Sequence, residues 1–311
     1  MMKFALVFPG QGSQALGMMQ AYGDSPVIRR TFDEASLALG RDLWQLVTEG
    51  PAEALNQTVN TQPLMLTAGI AAYRLWQARG GRIPAVVAGH SLGEYAALVA
   101  ASVLAFADAV PLVELRARAM QEAVPAGEGA MAAILGLDAQ TVIVVCAESA
   151  QGLVVEAVNF NAPEQIVIAG HAVAVQRAAE ALKAKGAKRA VMLPVSAPFH
   201  CSLMKPAAER LRVRLADMVF STPQIPVLNN VDVASLTEPQ QIKDALVRQA
   251  AAPVRWVETM QAMAAQGITH VYECGPGKVL AGLSKRCAEG LVGSAMADLP
   301  GIEAAVAATQ G

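Results

Sequence analysis

Ser91 stands in Gly89-His90-Ser91-Leu92-Gly93. The spacing G-x-S-x-G holds a serine on a sharp strand-to-helix turn, with glycines on either side to relieve crowding around it. The flanks suit that geometry: Pro84–Ala88 reads as a short buried strand, and a long apolar helix runs from Tyr95 towards Val103. A helix beginning there directs free N–H groups and partial positive charge at Ser91, where an oxyanion could form. The corresponding chemistry is nucleophilic acyl transfer. The bland alternative is an ordinary strand-helix turn with a serine cap.

A hydroxyl is a poor nucleophile until a base removes its proton, and the chain has four histidines. His90 adjoins Ser91, and neighbouring side chains on a sharp turn diverge. His171 opens a helical segment, where capping or surface exposure explains it. His270 precedes a strand-like run and stays open. His200 is preferred because Ser196-Ala-Pro-Phe-His200-Cys-Ser-Leu-Met is an irregular loop at a point where the chain changes pattern, and such loops commonly line active sites. No carboxylate between Ser91 and His200 has a context that marks it as a third member.

Two further features invite a chemical reading. Gly10-Gln-Gly12-Ser-Gln-Ala15 follows a strand-like run and satisfies the loose dinucleotide form G-x-G-x-x-G/A. That form needs an acid at the end of a second strand, whereas Asp33 and Glu34 sit within the helical pattern Val27–Leu39. The preferred reading gives Gln11 a place at the end of the first strand, able to donate to an oxyanion at the same sheet edge as Ser91. Arg116 lies among Leu112, Val113, Leu115, Ala117 and Met120. Either it pairs structurally with an acid such as Glu114 or Glu122, or its guanidinium receives a substrate carboxylate in bidentate fashion.

The elements that must carry these residues alternate. Phe4–Phe8 reads as a strand, with helices over Val27–Leu39, Asp42–Val47 and Pro63–Arg79, then the elbow, and a helix over Asp108–Ala123. Strand, tight turn and buried helix make an α/β sheet covered on both faces. Pro125–Gly129 marks a junction. Between it and Pro194 the order is strand (Ala130–Leu137), helix (Asp138–Ala150), strand (Leu153–Val158), strand (Gln165–Ala169), helix (Ala172–Lys185) and strand (Arg189–Leu193), the split unit of ferredoxin-like folds. The expected division is a discontinuous large domain, 1–125 and 196–311, interrupted by a small domain over 126–195. After it come a helix over Met204–Met218, a strand over Ile225–Asn229, helices over Gln240–Ala251 and Val254–Gln266, and a strand over His270–Cys274. From about Ala288 onward the alanine- and glycine-rich sequence predicts nothing definite.

Composition excludes several classes. The 311 residues are 54% hydrophobic and only 16% charged, with a net charge of −2, which suits a folded core and gives no reason to expect nucleic-acid binding. No apolar run has the roughly 20 residues a spanning helix needs, and Phe4–Phe8 is too brief for a secretory signal; a cytoplasmic protein without a membrane role is expected. Cys146, Cys201, Cys274 and Cys287 lack metal or disulfide spacing.

In combination, Phe8-Pro-Gly-Gln-Gly-Ser-Gln14, Gly89-His-Ser-Leu-Gly-Glu94, Arg116, Ala197-Pro-Phe-His200 and Gly275-Pro-Gly-Lys278 resemble the malonyl-CoA:acyl carrier protein transacylases of bacterial fatty acid synthesis. The resemblance implies an α/β-hydrolase-like domain interrupted by a ferredoxin-like one. It implies Ser91 as nucleophile, His200 as general base, and an oxyanion hole from the N–H of Leu92 and a backbone group at Gln11. Arg116 would bind the malonyl carboxylate. His200 would be oriented by a backbone carbonyl near Gln249 in place of an acid, and Phe199 looks like the malonyl-selecting form of related domains; Phe199 and Gln249 thus join Arg116 on the substrate-binding side. Asn159-Phe160-Asn161 resembles a segment near the family's cleft. Malonyl-CoA and a phosphopantetheinylated acyl carrier protein are the implied partners, with the chain acting as a monomer and no metal or organic cofactor. Acidic carriers favour a basic docking face, for which Lys185, Lys188, Arg189, Lys278, Lys285 and Arg286 are candidates beside the plain reading of a solvated surface. A serine esterase or thioesterase, or an idle carrier-binding module, are the competing classes.

Overall fold

A computed structural model describes residues 2–311. Nine strands occur among them: β1 (Phe4–Phe8), β2 (Val86–Gly89), β3 (Gly129–Leu135), β4 (Val155–Ala162), β5 (Gln165–His171), β6 (Arg189–Met192), β7 (Val227–Leu228), β8 (His270–Cys274) and β9 (Val292–Met296). They form two sheets. The larger is five-stranded in the order β7-β2-β1-β8-β9, and every pairing in it is parallel.

Alternation along β1 explains how both faces are covered. Phe4, Leu6 and Phe8 enter the main core with the helices Pro26–Leu39, Thr58–Ala78, Gly93–Ala100 and Phe106–Glu122. Ala5 and Val7 enter a second core with Trp256, Met260, Met263, Leu280 and Leu283 from the helices Trp256–Ala265 and Val279–Cys287. Successive residues of a strand face opposite sides, so a run apolar at every position marks a strand buried on both. The fold is thus α/β-hydrolase-like, with a central parallel sheet between helical layers.

The smaller sheet is antiparallel in the order β4-β5-β3-β6, which within this segment is second, third, first, fourth, the ferredoxin-like arrangement. The helices Ala139–Ala150 and Ala172–Ala184 cover one face. On its other face Met131, Val158, Val167 and Ala169 pack with Cys201 and with the partly buried Leu193, Val195, Phe199 and Leu203. The loop carrying His200 is therefore seated on the small sheet.

Several expectations need correction. The helix expected from Pro63 begins at Thr58 and contains Pro63; proline cannot donate to the carbonyl four residues back, and that carbonyl, Val59 C=O, accepts instead from the Arg41 guanidinium at 3.4 Å. β7 is two residues long, shorter than the Ile225–Asn229 expected. β4 runs on to Ala162 through register irregularities at Ala157/Asn159 and Phe160/Ala162, and so carries Asn159 and Asn161. The C-terminal region is ordered into β9 and the helix Leu299–Gln310. β9 is a sheet edge built from Val-Gly-Ser-Ala-Met; a Cβ on Gly293 would lie 2.1 Å from Ala281 C=O, so the helix above demands small residues and removes the usual apolar signature. No described helix is long and apolar enough to cross a membrane.

Candidate active site

The elbow is wedged against the end of β1. A Cβ on Gly89 would lie 1.8 Å from the Gly93 carbonyl carbon, and one on Gly93 would lie 2.0 Å from Phe8 C=O. Both positions therefore exclude any side chain. Between them Ser91 holds φ at 53°, a left-handed conformation costly for a residue with a Cβ and sustained only by its surroundings. Those surroundings are polar and buried. Asn230 Oδ1 accepts from Ser91 N–H at 2.7 Å, Asn230 Nδ2 donates to Gly89 C=O at 2.7 Å, and Gln249 Nε2 donates to Ser91 C=O at 2.9 Å.

Ser91 Oγ lies 2.6 Å from His200 Nε2, and His200 Nδ1 lies 2.9 Å from the main-chain carbonyl of Gln249. A carbonyl only accepts, so Nδ1 carries the proton and Nε2 is left as the acceptor for the serine O–H. An oriented nucleophile–base pair results without a carboxylate. Burial, and then the nearby Arg116 cation, push the His200 imidazole down to about 3. The resting base is neutral across the physiological range.

Arg116 is only 1% exposed and reaches the same point from the helix Phe106–Glu122. One guanidinium nitrogen donates to Gln62 Oε1 at 2.9 Å; another donates to Gln249 Oε1 at 3.0 Å and to Ser91 Oγ at 3.1 Å. The guanidinium also lies 5.4 Å from the Tyr95 ring centroid. The acids considered as structural partners are engaged elsewhere: Glu114 with Arg41 at 2.9 Å and Arg118 at 3.9 Å, and Glu122 with Arg210 at 2.5 Å. Arg116 is thus a buried cation held by neutral acceptors, a setting that favours an incoming anion.

A cavity of about 480 Å³ opens over these groups, lined by Gln11, Ser91, Leu92 and Arg116 together with Met131, Asn159, Phe199 and His200. The Gln11 side chain donates to Thr58 Oγ1 at 3.2 Å. Its backbone N–H and that of Leu92 have no acceptor among the described residues, whereas those of Ser91, Gly93 and Glu94 are engaged. Phe199 is partly buried between the main core and the small sheet.

The remaining histidines make no bond to Ser91: His90 lines the same cavity but is tied elsewhere, and the other two belong to other parts of the fold. His90 Nε2 lies 2.8 Å from Asn161 Oδ1, with its ring against Trp256. His171 Nδ1 accepts from Val154 N–H at 2.9 Å in the small sheet, and His270 Nδ1 lies 3.0 Å from Thr269 Oγ1. Lys185, Lys188, Arg189, Lys278, Lys285 and Arg286 are exposed, although Lys188 has Glu164 at 3.8 Å and Arg286 bonds Gln165 Oε1 at 2.8 Å. Residue-type reasoning missed Gln62, Asn230 and the bonding of Glu94. A faint signal existed for Gln62, a polar residue in a helix where nearly every position is buried.

Residues 5–296 match the acyl transferase domain family. The malonyl CoA-acyl carrier protein transacylase of Escherichia coli K12 is 57% identical over 307 residues, covering 98% of this chain and 99% of that protein. Among solved structures, the acyl-carrier-protein S-malonyltransferase of Burkholderia pseudomallei superposes with a TM-score of 0.97 at 60% identity, over 98% of this chain and 100% of the other. A malonyl-transacylase solved in complex with a type II polyketide acyl carrier protein superposes with a TM-score of 0.97 at 52% identity, over 98% of this chain and 99% of that one.

Proposed function

The chain belongs to the acyl transferase domain family, and from that premise we propose that it moves malonyl from malonyl-CoA to the phosphopantetheine thiol of an acyl carrier protein, supplying fatty acid synthesis. The observation that carries this is a buried Arg116 guanidinium bonded to no carboxylate among the described residues, 3.1 Å from the hydroxyl that His200 also contacts. A nucleophile, a base and an anion receptor share one hollow.

In the first half-reaction Ser91 Oγ gives its proton to His200 Nε2 and bonds to the thioester carbonyl carbon. The carbonyl electrons pass to oxygen, which the N–H groups of Leu92 and Gln11 receive; one such donor is worth roughly 3 kcal/mol of barrier. Collapse of the tetrahedral species breaks the carbon–sulfur bond, and the departing thiolate takes the proton back from His200. In the second half the carrier thiol yields its proton to His200 and its sulfur bonds to the malonyl carbonyl carbon; collapse of this tetrahedral species breaks the carbon–Oγ bond, and Ser91 Oγ departs with the proton that His200 returns. Arg116 exchanges its bond to Ser91 Oγ for the malonyl carboxylate, which frees the hydroxyl as the correct acyl group arrives. Gln62 and Gln249 keep the guanidinium aimed during the exchange, and Phe199 closes the acyl pocket. Enclosure of the ester limits the access of water, which would otherwise turn transfer into hydrolysis.

We extend the reading to a monomeric cytoplasmic enzyme that needs no metal or organic cofactor, with residues 126–195 as the inserted small domain and the exposed Lys278, Lys285 and Arg286 meeting the carrier. The relative solved with its carrier protein supports that partner class. Intact-mass spectrometry after mixing with malonyl-CoA tests the core of it: a single malonyl adduct that maps to Ser91 is expected, and absence of an adduct contradicts it.

A further inference from the structure

Glu94 is 2% exposed, lies in the first turn of the helix after the elbow, and takes no part in the steps above. Its Oε2 accepts two hydrogen bonds from distant parts of the chain, from Asn230 N–H at 2.9 Å and from Gln249 Nε2 at 3.0 Å. Each donor residue also holds the reacting pair. Asn230 spans the elbow, bonding Gly89 C=O and Ser91 N–H. Gln249 bonds Ser91 C=O through the same Nε2 and receives His200 Nδ1 on its main-chain oxygen. Both clamps on the left-handed Ser91, and the residue that orients the base, therefore converge on one carboxylate oxygen.

Among the described residues Glu94 makes no ion pair, although the Arg116 cation acts on it through space. The nearby cations bond elsewhere: Arg116 with Gln62, Gln249 and Ser91, and Arg248 with Asp232. A buried carboxyl that bonds no cation is costly relative to an apolar group, and burial, outweighing its two hydrogen bonds and the nearby Arg116 charge, pushes Glu94 up to about 7. What the group provides in return is a shared acceptor for the Asn230 N–H and for the second hydrogen of Gln249 Nε2, whose first is given to Ser91 C=O.

Building on the malonyl-transfer reading, we propose that Glu94 is a positioning residue, whose Oε2 fixes Asn230 and Gln249 so that Ser91 keeps its left-handed backbone and its Oγ stays in line with His200. Glu94→Gln, Glu94→Asp and Glu94→Met in the full chain test it, with thermal melting as the fold control. Ser91 reactivity is read with a fluorophosphonate and by single-turnover acylation from malonyl-CoA and acetyl-CoA. Glutamine keeps a carbonyl oxygen at the Oε2 position, so Glu94→Gln retains rates close to wild type. Aspartate falls a methylene short and methionine has no oxygen to offer. Both lose on the order of 100-fold with all three reagents; acetyl-CoA and the fluorophosphonate carry no carboxylate for Arg116, so a loss shared by all three reports the serine–histidine pair and not acyl recognition. Wild-type reactivity in a folded Glu94→Asp or Glu94→Met protein overturns the proposal, as does a loss in Glu94→Gln equal to that in Glu94→Asp. If the methionine variant does not fold, the order of glutamine and aspartate decides. The fluorophosphonate requires neither coenzyme A nor malonate, so a wild-type chain that reacts with it but refuses malonyl-CoA refutes the malonyl reading and leaves the role of Glu94 standing.

Discussion

Replacing Arg116 with alanine separates recognition of the acyl group from activation of the serine. The guanidinium is buried and held by Gln62, Gln249 and Ser91 Oγ; among the described residues no carboxylate bonds it, although the buried Glu94 acts on it through space. A malonyl carboxylate entering the cavity gains a charge-assisted pair away from water, and truncating one partner of such a pair costs roughly 3 kcal/mol or more. That corresponds to a fall in kcat/KM for malonyl-CoA of ~150-fold or greater. Acetyl-CoA makes no use of that pair, so its loading should hold steady or rise, and selectivity should collapse towards uncharged acyl groups. The variant leaves the amide oxygens of Gln62 and Gln249 without their donor, at ~1–3 kcal/mol of stability, which thermal melting will register separately. The assay is stopped-flow or quench-flow acylation of Ser91 with each thioester. Unchanged malonyl loading would show that no carboxylate is bound there; equal losses for malonyl and acetyl would show that Arg116 acts on the serine alone.

Other perturbations have defined outcomes. Because His200 titrates far below the ordinary imidazole value, the acid limb of kcat/KM should lie well below pH 6.5; lowering the pH protonates Nε2 and removes the base, and a limb near 6.5 would contradict the buried, neutral imidazole. In Arg116→Ala one of the two main depressing influences is gone, so that limb, followed with acetyl-CoA, should move to higher pH. His200→Ala should slow acylation by ~10²–10⁴-fold with the fold intact, and a smaller effect would point to another base. Gly93→Ala drives a Cβ to within 2.0 Å of Phe8 C=O; a loss of more than ~3 kcal/mol of stability is expected, and a melting temperature matching wild type would deny the close approach of elbow and β1.

How much of this was legible in the sequence follows from where the information resides. The turn around Ser91 is readable because its requirements are local: two glycines at fixed offsets and a buried strand and helix on either side. The ferredoxin-like order is readable because each strand and helix keeps its own period. Arg116 is visible as a charge among apolar positions, but its partners are not, since Gln62 and Gln249 lie 54 and 133 residues away and an amide has no pattern that announces a distant guanidinium. The clamp of Asn230 on Ser91 spans 139 residues and depends on β7 ending after two residues so that the chain can turn into the site. β9 escapes for the opposite reason: a sheet edge under a close helix selects glycine, serine and alanine, which look like loop.

The fate of the isolated malonyl-Ser91 enzyme is the most direct test of acyl transfer. The adduct, freed of excess malonyl-CoA, is divided between buffer alone and buffer containing a phosphopantetheinylated acyl carrier protein, and the acyl group is followed by mass on both proteins. Rapid, stoichiometric appearance of malonyl on the carrier thiol, with slow loss in buffer, is the predicted result. Equally fast loss to water with none gained by the carrier would make the chain a hydrolase and contradict the mechanism.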